Sequence, residues 1–154
     1  MTITKELLKQ KFEEYNKLYF NNELPMCTFS YNYMKDAFGR YATHTKSNGQ
    51  KVGHIRISKS IDLDEDMLSE LLVHEMIHHY VHTIDGVSFD GFFCHGRHFV
   101  RQVKRIKKEH GLEILICYPD WRFRNEKFET SFFLRVIGFL RNELHLFRNF
   151  ISIK

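Results

Sequence analysis

The chain has little of what breaks or staples a polypeptide. Only two prolines and eight glycines occur in 154 residues, too few for a long disordered linker. The three cysteines, Cys27, Cys94 and Cys117, form no CxxC pair. A cysteine-built zinc ribbon is therefore excluded, and widely spaced thiols in odd number read as a reduced, cytoplasmic setting. No run of about 20 apolar residues exists, so no membrane-spanning helix is expected. Residues 1–12 are polar and helical in pattern, without the apolar core of a secretory leader.

What is present fits one main domain. Apolar residues make up 43% of the chain, with 15 phenylalanines and seven tyrosines, so an aromatic-rich core is expected. The net charge of +4 conceals an asymmetry. Residues 1–96 hold 10 Lys and Arg against 13 Asp and Glu, whereas residues 97–154 hold 13 against 6. Such a split is compatible with a polyanion partner for the second half, and equally with a solvated basic helix face.

Leu8, Phe12, Tyr15 and Tyr19 recur at helical spacing, which predicts an amphipathic helix over about residues 4–20, closed by Asn21, Asn22 and Pro25. Cys27, Phe29, Tyr31 and Tyr33 alternate with polar residues, the period of a half-buried strand. Residues 40–45 and 52–58 read as two further strands joined at Ser47-Asn48-Gly49, a hairpin turn that tolerates positive φ. The expected sheet is three-stranded and mostly antiparallel. A second helix is predicted from about Asp62–Asp66, where acidic side chains suit the helix dipole, to a stop at Gly86. Phe99, Val103 and Ile106 mark a basic helix ending at Gly111, and residues 114–116 a short strand. The tail carries Phe133, Ile137, Leu140, Leu144, Phe147 and Ile151 at helical spacing. The fold class expected is α+β, with a domain over residues 1–118 and an aromatic, basic extension over 119–154 packed on it.

The chemistry concentrates in His74-Glu75-Met76-Ile77-His78. Histidines four apart on a helix project from one face and can share one ion at about 2.0–2.1 Å. Glu75 stands roughly 100° round the helix. It is badly placed as a ligand but well placed to take a proton from a metal-bound water and pass it to a leaving amine. A catalytic zinc needs a third protein ligand and an open position. His82 lies about 12 Å along the axis from His74, too far to share the ion. The metzincin spacing needs a glycine where Val81 stands and a histidine where Ile84 stands. No glutamate occurs between Glu75 and Glu109. His95, followed by Gly96, is the favoured third ligand, with His98 and Cys94 as competitors. Tyr41, His44 and His79 are unranked candidates to assist at the cleft.

Three segments resemble the SprT-like (Spartan-type) metallopeptidase family. Tyr15-Asn16-Lys17-Leu18-Tyr19-Phe20-Asn21-Asn22-Glu23-Leu24-Pro25 is similar to its first helix and exit. Gly39-Arg40-Tyr41 and Ile55-Arg56-Ile57-Ser58 are similar to its hairpin. Leu72-Val73-His74-Glu75-Met76-Ile77-His78 together with His95-Gly96-Arg97-His98-Phe99 resembles its active-site helix and third-ligand segment. The resemblance covers about residues 10–110. It implies one zinc ion (Zn2+) per chain on His74, His78 and His95, Glu75 as general base, and hydrolysis of peptide bonds in a protein or peptide substrate, in some members of proteins attached to DNA. The chain departs from members with a cysteine zinc ribbon, because residues 120–154 hold no cysteine. Arg101, Lys104, Arg105, Lys107 and Lys108 are the candidate phosphate contacts for a DNA partner. The rival expectation is a non-catalytic zinc module that binds nucleic acid or protein, which would close the fourth metal position with a protein ligand.

Overall fold

A computed structural model describes residues 2–35, 37–88 and 95–116. The expected tail helix, the 119–154 extension, Cys94 and Cys117 lie outside the described residues. The elements run α1 (Lys5–Phe20), β1 (Thr28–Asn32), β2 (Gly39–Thr45), β3 (Lys51–Ser58), α2 (Glu65–Thr83) and α3 (Arg97–His110). The arrangement is α+β, with a small three-stranded sheet.

Helix α1 begins where the Thr4 side chain accepts from Leu7 N–H at 3.1 Å and ends at Asn21, whose left-handed φ of 53° turns the chain away. Its stripe of Leu8, Phe12, Tyr15, Tyr19 and Phe20 is buried. Asn16 lies on the same face and is explained by its hydrogen bonds. Its amide donates to Leu24 C=O at 2.9 Å and accepts Leu24 N–H at 3.1 Å, folding the Asn21–Pro25 exit back onto the helix.

The sheet is mixed rather than mostly antiparallel. Strand order is β1-β3-β2; β2 pairs antiparallel with β3, and β1 pairs parallel with it. The physical reason is a crossover. β1 ends and β2 begins at the C-terminal end of β3, on opposite sides of it, so the chain changes side there. Ser58 fastens this link: its N–H donates to Phe38 C=O at 2.7 Å, and its hydroxyl accepts Met34 N–H at 3.1 Å. At the other end the hairpin closes with Gly49 at φ 82°. The stretch 114–116 is not a strand; after the left-handed Gly111 it runs on with no ladder partner among the described residues.

Helix α2 is the centre of the domain. Asp64 caps it by accepting Met67 N–H at 2.8 Å. Leu68, Leu71, Leu72, Val73, Met76, Ile77 and Val81 are buried around its circumference, so it has no solvent face along its middle. It ends at Thr83, short of the expected Gly86, which instead turns the following chain at φ 69°. Helix α3 packs Phe99, Val103 and Ile106 against the core. Arg105 ties α3 to the end of α1 by donating to Tyr19 C=O at 2.6 Å.

Candidate metal centre

The HExxH spacing sets His74 and His78 one turn apart on the buried length of α2, and the chain returns at His95, just before the Gly96 cap of α3. The structure brings these three side chains together. One ring nitrogen from each lies within 4.8 Å of the others, close enough to hold a metal ion. His95 Nε2 stands 3.1 Å from His78 Nε2 and 3.1 Å from His74 Nε2. Three nitrogens held about 2.0–2.1 Å from one tetrahedral ion are themselves separated by about 3.3 Å. The spacing therefore fits a zinc-like cation.

The protonation pattern agrees. His74 Nδ1 lies 2.8 Å from Leu115 C=O, an acceptor only, so Nδ1 carries the hydrogen and Nε2 presents its lone pair to the cluster. Burial, reinforced by His78 and His95, pushes the His74 pKa well below its ordinary value; the Leu115 carbonyl opposes this. The ring is thus neutral, the form a metal needs. Phe99, fully buried, is the floor of the site. Its ring centroid lies 4.8 Å from that of His74 and 4.6 Å from those of His78 and His95.

Glu75 is turned toward the sheet and is buried, at 4% exposure. Its carboxylate accepts the backbone N–H of Tyr41 and feels the Arg40 charge, yet desolvation outweighs both and raises its pKa from 4.5 to about 8. Gly39 makes this approach possible, because a Cβ there would collide with Glu75 Oε1 and come within 2.9 Å of Leu71 Cδ1.

The competitors and accessory candidates go elsewhere. His98 Nδ1 lies 3.0 Å from Asp85 Oδ2, which also accepts from Arg101 at 2.8 Å. His79, 1% exposed, donates from Nε2 to Pro25 C=O at 2.8 Å and accepts the Tyr41 hydroxyl at Nδ1, 3.2 Å. Both candidates thus hold each other in the core, where burial lowers the His79 pKa and raises that of Tyr41. A Cβ on Gly53 would sit 3.0 Å from His79 Cε1, so that glycine makes room for the ring. His44 is exposed on β2, its ring 6.0 Å from that of His54. Of the five candidate phosphate contacts, all on α3, Arg101 is paired with Asp85, Arg105 with Glu109 and Lys107 with Glu113. The sequence pattern singles out Phe99 and Gly39 only as helix and hairpin residues, and neither Glu70 nor the Leu115 backbone at all. A glutamate one turn before His74 in an apolar helix was the available signal for Glu70; the backbone of Leu115 left none.

A family model for the SprT-like family matches residues 8–118. No match to a curated protein was found.

Proposed function

The chain belongs to the SprT-like family, and on that premise we propose that it is a zinc-dependent metallopeptidase. The observation that carries this reading is the convergence of three imidazole nitrogens on one point, with a buried carboxylate on the residue next to one of them. His74, His78 and His95 would hold the ion. A bound zinc supplies Lewis acidity, lowering the pKa of a water in its open position to about 7 and polarising a scissile carbonyl. Glu75 would be the general base of that chemistry, accepting a proton at its carboxylate and returning it to the leaving amine. Among the groups around Glu75, the Tyr41 N–H and the Arg40 charge favour its ionised, proton-accepting form, against the desolvation that raises its pKa to about 8. Gly39 and the Tyr41 N–H fix the carboxylate in place.

The substrate class is protein or peptide. DNA-associated protein is the narrower proposal, supported by the excess positive charge after residue 96. On α3, Lys104 and Lys108 are exposed, while Arg101, Arg105 and Lys107 also serve ion pairs within the fold. No helix among the described residues is long and apolar enough to cross a membrane, and the cytoplasm is the compartment proposed.

The test is Glu75→Gln, with zinc content and cleavage of an unfolded protein substrate measured together, with and without single-stranded DNA. Zinc retained and cleavage lost is expected. Unchanged cleavage refutes the role of Glu75, and zinc bound by a wild-type protein that cleaves nothing points to a non-catalytic zinc module.

A further inference from the structure

Glu70 is 7% exposed on α2, one turn before His74 and on the same face of the helix. A carboxylate so removed from water is costly unless it is hydrogen-bonded. Its Oε1 accepts the backbone N–H of Leu115 at 3.0 Å. The carbonyl of the same Leu115 accepts from His74 Nδ1 at 2.8 Å. Two side chains one turn apart on α2 thus grip the N–H and the C=O of a single residue 45 and 41 positions away.

The grip matters because, among the described residues, no helix or strand holds that backbone. Residues 112–116 belong to no helix or strand. Ile114 is buried at 6% exposure, but the Leu115 side chain is 41% exposed and does not anchor its own peptide. Without an acceptor held at Nδ1, an imidazole exchanges its hydrogen between the two nitrogens. A hydrogen on His74 Nε2 would point at His95 Nε2, 3.1 Å away, and remove the lone pair that a metal requires.

We propose that Glu70 is the positioning residue of the metal centre: by holding the Leu115 backbone against α2, it fixes His74 in the form whose Nε2 lone pair faces the ion. The inference rests on the metal-site reading above. Glu70 acts through geometry rather than charge. The Leu115 N–H and C=O belong to successive peptide units, so the carboxylate does not polarise the imidazole through one shared amide plane. An uncharged acceptor of the same reach therefore suffices.

The experiment is zinc affinity by chelator competition for wild type, Glu70→Gln, Glu70→Met and Glu70→Asp. It is paired with long-range 1H–15N spectra of the histidine rings in the metal-free proteins. Glu70→Gln keeps the acceptor and is expected within about threefold of wild type, whereas Glu70→Met, similar in volume but without an acceptor, is expected to lose about 10- to 100-fold. Glu70→Asp keeps the charge, withdraws the oxygen by one methylene, and follows Glu70→Met; it also serves if the methionine variant does not fold. His74 is expected as the Nδ1–H tautomer in wild type and Glu70→Gln, and as a mixture in the other two, a change that loss of packing alone would not produce. Wild-type affinity and tautomer in Glu70→Met and Glu70→Asp overturn the proposal. So does a Glu70→Gln as weak as Glu70→Met, which would make charge the agent. A wild-type protein that binds no zinc overturns the metal-site reading and this proposal with it; normal wild-type binding with unaffected variants overturns this proposal alone.

Discussion

In the zinc-stripped protein, replacing Glu75 with glutamine is expected to stabilise the fold, by an amount that depends on pH. Glu75 is buried and its pKa rises from 4.5 to about 8, chiefly by desolvation. The sign follows from proton binding. Below pH 4.5 the carboxyl is neutral folded and unfolded, and burial carries no ionic cost. Between 4.5 and about 8 the unfolded chain has released the proton while the folded chain retains it, so stability falls as pH rises. Above about 8 both states are ionised and the loss is complete. The distance from 4.5 to about 8, at about 1.4 kcal/mol per pH unit, is on the order of 5 kcal/mol. Glutamine fits the same space, still offers an oxygen to the Tyr41 N–H, and has no proton to lose. The assay is denaturant unfolding of both proteins in chelator from pH 5 to pH 9. The histidines are the same in both proteins, so their effect largely cancels in the difference. The advantage of Glu75→Gln should grow through this range and level off near pH 8. Adding zinc should shrink it, because the cation favours the carboxylate. Parallel pH profiles for the two metal-free proteins, or a wild type that gains on the variant as pH rises, would refute the burial argument.

Three further outcomes are expected. His95→Ala should reduce zinc affinity by more than the roughly 10- to 100-fold typical of an outer-sphere partner, while His98→Ala should leave zinc binding near wild type and lower stability through loss of its Asp85 contact; equilibrium dialysis distinguishes them. Gly39→Ala forces a Cβ against Glu75 Oε1 and Leu71 Cδ1, and should cost about 1–3 kcal/mol in denaturant unfolding, with cleavage reduced more than zinc content. Asn16→Ala leaves both Leu24 backbone groups without their partner, and a loss of about 2–6 kcal/mol is expected, at about 1–3 kcal/mol for each unsatisfied group.

The sequence by itself determined what local spacing controls. The helical periods of Leu8, Phe12, Tyr15 and Tyr19 and of Phe99, Val103 and Ile106 place α1 and α3 where they are found, because a helix buries one stripe whatever it meets. Asn48-Gly49 marks the hairpin because few residues accept positive φ. The interval from His74 to His78, and the failure of His82, Val81 and Ile84 to supply a partner, direct attention to His95, since helix geometry alone fixes which side chains can reach one point. Tertiary structure decided the rest. The parallel pairing of β1 with β3 depends on a crossover fastened by Ser58, and alternation within β1 reads the same for either direction. His98 and His95 are equivalent as letters; Asp85 turns one away, and the floor provided by Phe99 receives the other. Tyr41 and His79 look available for chemistry until each is found holding the other in the core. The link from Glu70 through Leu115 to His74 spans more than 40 positions and uses backbone atoms that every residue carries. No residue type announces such a contact, so only the folded chain could reveal it.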